Sequence, residues 1–200
     1  MAIERTVRQG GAAEAPSDEL TREKLMDAGI ACLSRYGLKK TNMRLIAQES
    51  GIVRQTVYNY FSSKYEVLSA AFQREGIRLG EETARHIERF DDAGTKLVEG
   101  FLFIHEHFPR NPILAQVLAP GQDFMGTVGL STVPFALYGE LVFHSVFEEH
   151  PYLKPDIENI SELWIRSVMS FLTLPGPTTR NREQMERYVR RHLLPGVGLR

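Results

Sequence analysis

Residues 41–68, TNMRLIAQESGIVRQTVYNYFSSKYEVL, decide the fold. Thr41 and Asn42 are residue types that cap a helix N-terminus, and Met43, Ile46 and Ala47 then recur on one face. The spacing predicts a short amphipathic helix over 43–50. Gly51 stands where such a helix ends in a left-handed residue. After Ile52 and Val53 turn the chain, a second helix of only two turns is expected over 54–61. Ser63-Lys64-Tyr65-Glu66 has the Ser-x-x-Glu spacing of a capping box and opens a further helix, with Val67, Leu68, Ala71 and Phe72 facing inward. Two short helices joined by a glycine-containing turn, flanked by longer helices, form the layout of a helix-turn-helix unit.

The helix over 54–61 has two unlike faces. At about 100° per residue, Val57 and Phe61 fall at about 300° and 340° from Arg54 and point inward. Gln55 and Asn59 fall at about 100° and 140°, flanked by Thr56 and Tyr58. The outer face therefore carries two carboxamides, a hydroxyl and a phenol, with Arg54 in the first turn and no acid. In a DNA major groove Gln or Asn can pair with adenine and Arg with guanine, so this face suits a recognition helix. Thr41, Arg44, Tyr60 and Lys64 surround it and are candidates for phosphate contacts.

Charge agrees with that placement. Six cations (Arg35, Lys39, Lys40, Arg44, Arg54, Lys64) face one acid, Glu49, over residues 28–65, a local excess of +5 in a chain of net charge −1. The remainder sums to −6. On charge alone, such a patch serves either a nucleic-acid module or an ordinary solvated face.

Outward from this stretch the chain is helical. Residues 1–17, with Gly-Gly, scattered alanines and a proline, are expected to be a flexible arm whose Arg5 and Arg8 could touch a groove. A helix over 21–36 carries Leu25, Ala28, Cys32 and Leu33 on one stripe and stops at Gly37. Cys32 lies in that stripe as a small buried hydrophobe. The helix opened at Ser63 is expected to run to residue 90 despite Gly76 and Gly80, each costing about 1 kcal/mol against alanine. Further helices are expected over 95–108 and 113–118. The segment 123–150 is bent by Pro134. On the next helix Ile157, Ile160, Trp164, Val168, Phe171 and Leu172 cover about 120°. Pro175-Gly176-Pro177 ends it, and Asn181 with Gln184 caps the last, whose stripe is Met185, Tyr188, Val189, His192 and Leu193. No strand-like alternation stands out, so the fold class is all-α. We expect an arm over 1–17, a helix-turn-helix DNA-binding unit over 18–65 and a larger helical unit over 66–200.

Two hundred residues with 42% hydrophobic and 24% charged composition describe a globular chain able to bury a core without staples. One cysteine excludes an internal disulfide and suits a reducing, cytoplasmic setting. The first residues lack the apolar run of a signal peptide, and the proline- and glycine-broken stretch 111–139 is no spanning helix, so no membrane is expected. No P-loop, GxGxxG, GxSxG or HExxH occurs, so an enzyme is not expected. Metal is not expected either: among His105, His107, His144 and His150, the first two diverge on a helix and no inward-facing acid sits with them at i+3 or i+4. No cofactor is implied. The rival from another class is a helix-turn-helix adaptor working through protein contacts without specific DNA binding.

Residues 41–68 closely resemble the DNA-binding signature of the TetR/AcrR family of bacterial transcriptional regulators. The likeness rests on Ala47-x-x-x-Gly51, Thr56-x-Tyr58-x-Tyr60-Phe61 and Ser63-Lys64-x-Glu66-x-Leu68, and extends over about residues 21–72. Two positions depart from the pattern. Val53 stands where a capping serine is usual, a loss of about 1 kcal/mol, and Leu45 where an acid is common.

The resemblance implies a homodimer on a palindromic double-stranded DNA operator, paired through C-terminal helices, and a small-molecule effector that releases it. Trp164, Val168, Phe171, Met185, Tyr188 and Leu193 offer an apolar surface for such pairing, though the same stripes can equally face their own core. For an apolar effector pocket the candidates are Phe101, His105, Phe108, Phe124, Tyr138, Phe143 and Trp164, with Phe103 beside them, a minority of which would line a cavity.

Overall fold

The computed structural model describes residues 16–120, 123–127, 135–174, 176–177 and 181–199. The arm as far as residue 15, with Arg5 and Arg8, and the expected bend at Pro134 and stop at Pro175 lie outside the described residues. Among the described residues all regular structure is helical. In chain order the α-helices are α1 Pro16–Lys40, α2 Met43–Ser50, α3 Arg54–Tyr60, α4 Lys64–Ile87, α5 Ala93–His107, α6 Phe124–Thr127, α7 Phe135–Glu149, α8 Ile157–Thr173 and α9 Arg182–Tyr188. A single π-helical stretch, Val189–Leu193, continues α9.

Local signals place most helix ends. Asn42 accepts a hydrogen bond from the Leu45 N–H at 3.1 Å and caps α2, which closes at Gly51 with φ 69°. Gly37 interrupts α1 at φ 73° and ψ 166°, a conformation that favours glycine. Asp92 caps α5 through the Thr95 N–H at 2.8 Å, and Asn181 caps α9 through the Gln184 N–H at 2.9 Å. The capping box at α4 is rearranged: Ser63 Oγ accepts from the Glu66 N–H at 3.3 Å, but the Glu66 carboxylate turns to the N–H and hydroxyl of Ser62.

Two apolar clusters form. The first gathers Leu25, Cys32, Leu33, Ile46, Val57, Phe61, Val67 and Leu68 from α1–α4 and draws in Ile113 and Phe124 from far along the chain. The second centres on Leu97, Phe101, Phe147, Trp164 and Val189. A boundary after residue 65 falls within the first turn of α4, and α4 serves both clusters, with Leu68 in one and Ile87 in the other. Buried as expected, the Cys32 thiol has its pKa pushed up by desolvation and by the charge of Glu49.

α4 also holds the glycines that propensity alone disfavours. A Cβ on Gly76 would stand 2.7 Å from the Tyr138 hydroxyl oxygen, and one on Gly80 would stand 2.7 Å from Leu141. Only a bare backbone lets α7 cross this closely. A cluster of charges fixes α1 against α4: the largely buried Arg74 bonds Glu23 at 2.6 Å, Asp27 at 2.7 Å and Glu75 at 2.8 Å.

Candidate functional site

α3 is pinned from beneath. Val57 is 0% exposed and Phe61, in extended backbone just past the helix, is 1% exposed. Arg54, Gln55, Tyr58 and Asn59 are exposed and Thr56 is half-buried, so the amide and phenol face looks outward and carries no acid. Arg54 folds back over Tyr58, its guanidinium carbon 5.5 Å from the ring centroid and Nη2 donating to the phenolic oxygen at 3.2 Å. Such an exposed contact is worth about 0.5–1 kcal/mol, so Arg54 is pre-positioned without being locked. Val53 makes no capping hydrogen bond at the start of α3.

Three of the surrounding candidates are committed inside the protein. Thr41 is buried, and its N–H and hydroxyl both donate to the Gly37 carbonyl, at 3.1 and 2.9 Å. Tyr60 donates its hydroxyl to Asp18 Oδ1 at 2.7 Å and so braces α3 against the start of α1. Lys64 Nζ donates to the carbonyls of Leu38 and Thr41, both at 2.8 Å. Carbonyls at a helix end lack intrahelical partners and carry partial negative charge, so an ammonium is drawn to them rather than to solvent. Thr41 and Lys64 therefore hold the turn between α1 and α2, and Tyr60 holds α3 on α1, rather than standing free for phosphates.

Lys64→Met is expected to lower stability by about 1.5–3 kcal/mol in denaturant unfolding. It should leave the salt dependence of DNA binding unchanged. A salt slope shallower by about one unit would return Lys64 to the phosphates.

Arg44 remains exposed, as do Lys39 and Lys40 at the end of α1, and none of the three joins an ion pair among the described residues. The two lysines entered the sequence reading only through the charge count, although they directly precede the cap of α2. Glu49 pairs with Arg35 at 2.8 Å, so the single acid of this stretch is neutralised.

A cavity of about 650 Å³ lies between α4, α5, α7 and α8. Four of the effector-pocket candidates, Phe108, Tyr138, Phe143 and Trp164, line it. Phe101, His105 and Phe124 do not, which corrects their assignment. Phe101 is fully buried edge-on to Trp164 and Phe171, His105 stacks on Phe101, and Phe124 packs against Phe72 in the first cluster. Burial pushes the His105 imidazole below its ordinary pKa. The lining that sequence reasoning missed comes chiefly from α4, at Gly76 and Gly80, and from Val168 and Met169 of α8.

Of the six residues proposed for pairing, three face their own core. Trp164, Val168 and Met185 are 2%, 3% and 3% exposed, because α8 and α9 lay them on α5 and α7 of the same chain. Phe171, Tyr188 and Leu193 are half-buried, with Tyr188 edge-on to Phe171 at 5.3 Å and Leu193 packed against the second cluster. Among the described residues no group of three His, Cys, Asp or Glu side chains could hold a metal, and no helix is long and apolar enough to cross a membrane.

Geometry of this kind defines a helix-turn-helix unit, and known proteins agree. Residues 25–71 match the family model of the bacterial regulatory proteins, tetR family. The HTH-type transcriptional repressor KstR of Mycobacterium tuberculosis is 24% identical over 180 residues, covering 84% of this chain and 79% of KstR. Among solved structures, the TetR family repressor AlkX from Dietzia sp., implicated in biodegradation of n-alkanes, shares the fold with a TM-score of 0.66 at 19% identity, over 94% of this chain and 98% of AlkX. RolR in complex with its ligand resorcinol does so with a TM-score of 0.63 at 14% identity, over 94% and 92% of the two chains. Residues 25–71 thus carry the DNA-binding region of the tetR family, and over most of its length the chain is similar to the repressor KstR. The chain is a DNA-binding protein, and its relatives are regulators rather than enzymes.

Proposed function

We propose that the chain is a cytoplasmic, ligand-responsive repressor that binds a palindromic operator as a homodimer. The acid-free outer face of α3 carries this reading: Arg54, Gln55, Thr56, Tyr58 and Asn59 reach base edges, while Arg44, Lys39 and Lys40 sit on the flanking phosphates. Two heads about 34–36 Å apart would meet successive major grooves on one side of the duplex. With Trp164, Val168 and Met185 buried in their own core, pairing uses the half-buried Phe171, Tyr188 and Leu193 and the exposed Leu174 just past α8.

α4 is the coupling element. Its first residue, Lys64, ties the turn before α2, while Phe72, Gly76 and Gly80 farther along line the cavity. A molecule seated there that prefers one setting of α4 changes the separation of the heads, and lowers DNA affinity by its differential affinity for the two settings. The known complex of RolR with resorcinol supports a small-molecule effector here.

Duplex binding measured across a range of salt tests the reading. Log affinity should fall linearly with log salt, by about 0.9 per phosphate neutralised. Absence of duplex binding at low salt would leave the adaptor in its place.

A further inference from the structure

The cavity wall has an uneven chemistry. No Asp, Glu, Lys, Arg or His occurs among its described lining residues. Residues 121–122 and 128–136, next in sequence to α6 and α7, contain none either. The polar side chains on the wall are few. Ser161 donates its hydroxyl to the Ile157 carbonyl at 2.6 Å, and Trp164 donates Nε1–H to the Leu97 carbonyl at 3.1 Å. Gln73 reaches Ser69 at 3.5 Å. Tyr138 differs, for its hydroxyl makes no hydrogen bond among the described residues although the side chain is largely buried. Gly76 lets that oxygen come close against α4, where a Cβ would stand 2.7 Å away. At the mouth, Ile77 and Leu137 are 41% and 59% exposed and give the entrance an apolar rim.

We propose that the effector is an uncharged, largely hydrocarbon molecule with one oxygen function, which accepts a hydrogen bond from the Tyr138 hydroxyl. This rests on the reading of the cavity as the effector site. An ionised carboxylate entering here would leave water for a wall that offers no cation, an unfavourable exchange. A hydroxyl or ketone meets the Tyr138 hydroxyl, a donor that no described residue pairs with. Burial raises the Tyr138 pKa, so the phenol stays protonated and able to donate at neutral pH.

Trp164 is the single tryptophan of the chain and lines the cavity, so its fluorescence reports occupancy directly. The full-length protein is titrated without DNA with decan-1-ol, decane and decanoate at pH 8. Decan-1-ol should bind at least about tenfold more tightly than decanoate. Tyr138→Phe should weaken decan-1-ol about three- to tenfold, the worth of one neutral hydrogen bond, and leave decane unchanged. Decanoate binding as tightly as decan-1-ol would overturn the proposal, as would Tyr138→Phe without effect on decan-1-ol. The comparison of alcohol with carboxylate on the unaltered protein decides the matter even if the variant fails to fold. The duplex titration in salt uses no effector, so failure of the DNA-binding reading shows itself separately.

Discussion

Phe61→Ala is expected to destabilise the chain by about 3–5 kcal/mol, the usual cost of removing a fully buried phenylalanine. Whole domains are stable by only about 5–15 kcal/mol, so this is a large fraction. The ring is 1% exposed, sits directly after α3 and is covered by Arg22, whose guanidinium carbon lies 4.8 Å from its centroid. Together with Val57 it is what holds so short a helix in place; seven residues have little helical stability of their own. Denaturant unfolding should show the loss as a lower midpoint, and DNA binding should fall at temperatures where the unaltered protein is intact. Val53→Ala, at a side chain 72% exposed one residue before the same helix, should move stability by no more than about 0.5 kcal/mol. Equal effects from the two changes would mean that α3 is not anchored through Phe61.

Gln55→Ala and Asn59→Ala should act differently, because neither side chain supports the fold. Each carboxamide can make a paired hydrogen bond to one adenine, worth about 1–3 kcal/mol of discrimination, or roughly 5- to 150-fold. The variants should keep their stability and their affinity for random duplex, yet lose preference at particular base pairs of the bound site. Lys39→Ala should weaken every duplex alike. Affinities for a panel of sites, each altered at one base pair, separate the two patterns. A uniform loss from all three variants would remove α3 from the groove.

The helix-turn-helix was legible because its signals are local. Capping residues, left-handed glycines and a 3.6-residue period act within a few positions, so the expected 43–50 helix is α2 and the expected 54–61 helix is α3, one residue shorter at Phe61. Contacts distant in sequence were not legible. Nothing near Lys64 reveals that its ammonium turns back to carbonyls 23 and 26 residues earlier, nor does Tyr60 announce Asp18. Gly76 and Gly80 looked like weaknesses in a helix until α7 crossed them. Phe124 and Ile113, which belong to the first cluster, carry no sequence mark of that membership. The stripe through Trp164, Val168 and Met185 was ambiguous in principle, since an apolar helix face has the same pattern whether its own chain or a second copy covers it.

Selection of bound sites from random duplex DNA by the full-length protein tests the account most directly. The predicted result is an enriched inverted repeat, its half-site centres one helical turn apart or a whole multiple of that, which loses information at specific positions when Asn59→Ala is selected in parallel. Enrichment of no motif, or of one that Asn59→Ala and Gln55→Ala both leave unchanged, would contradict it.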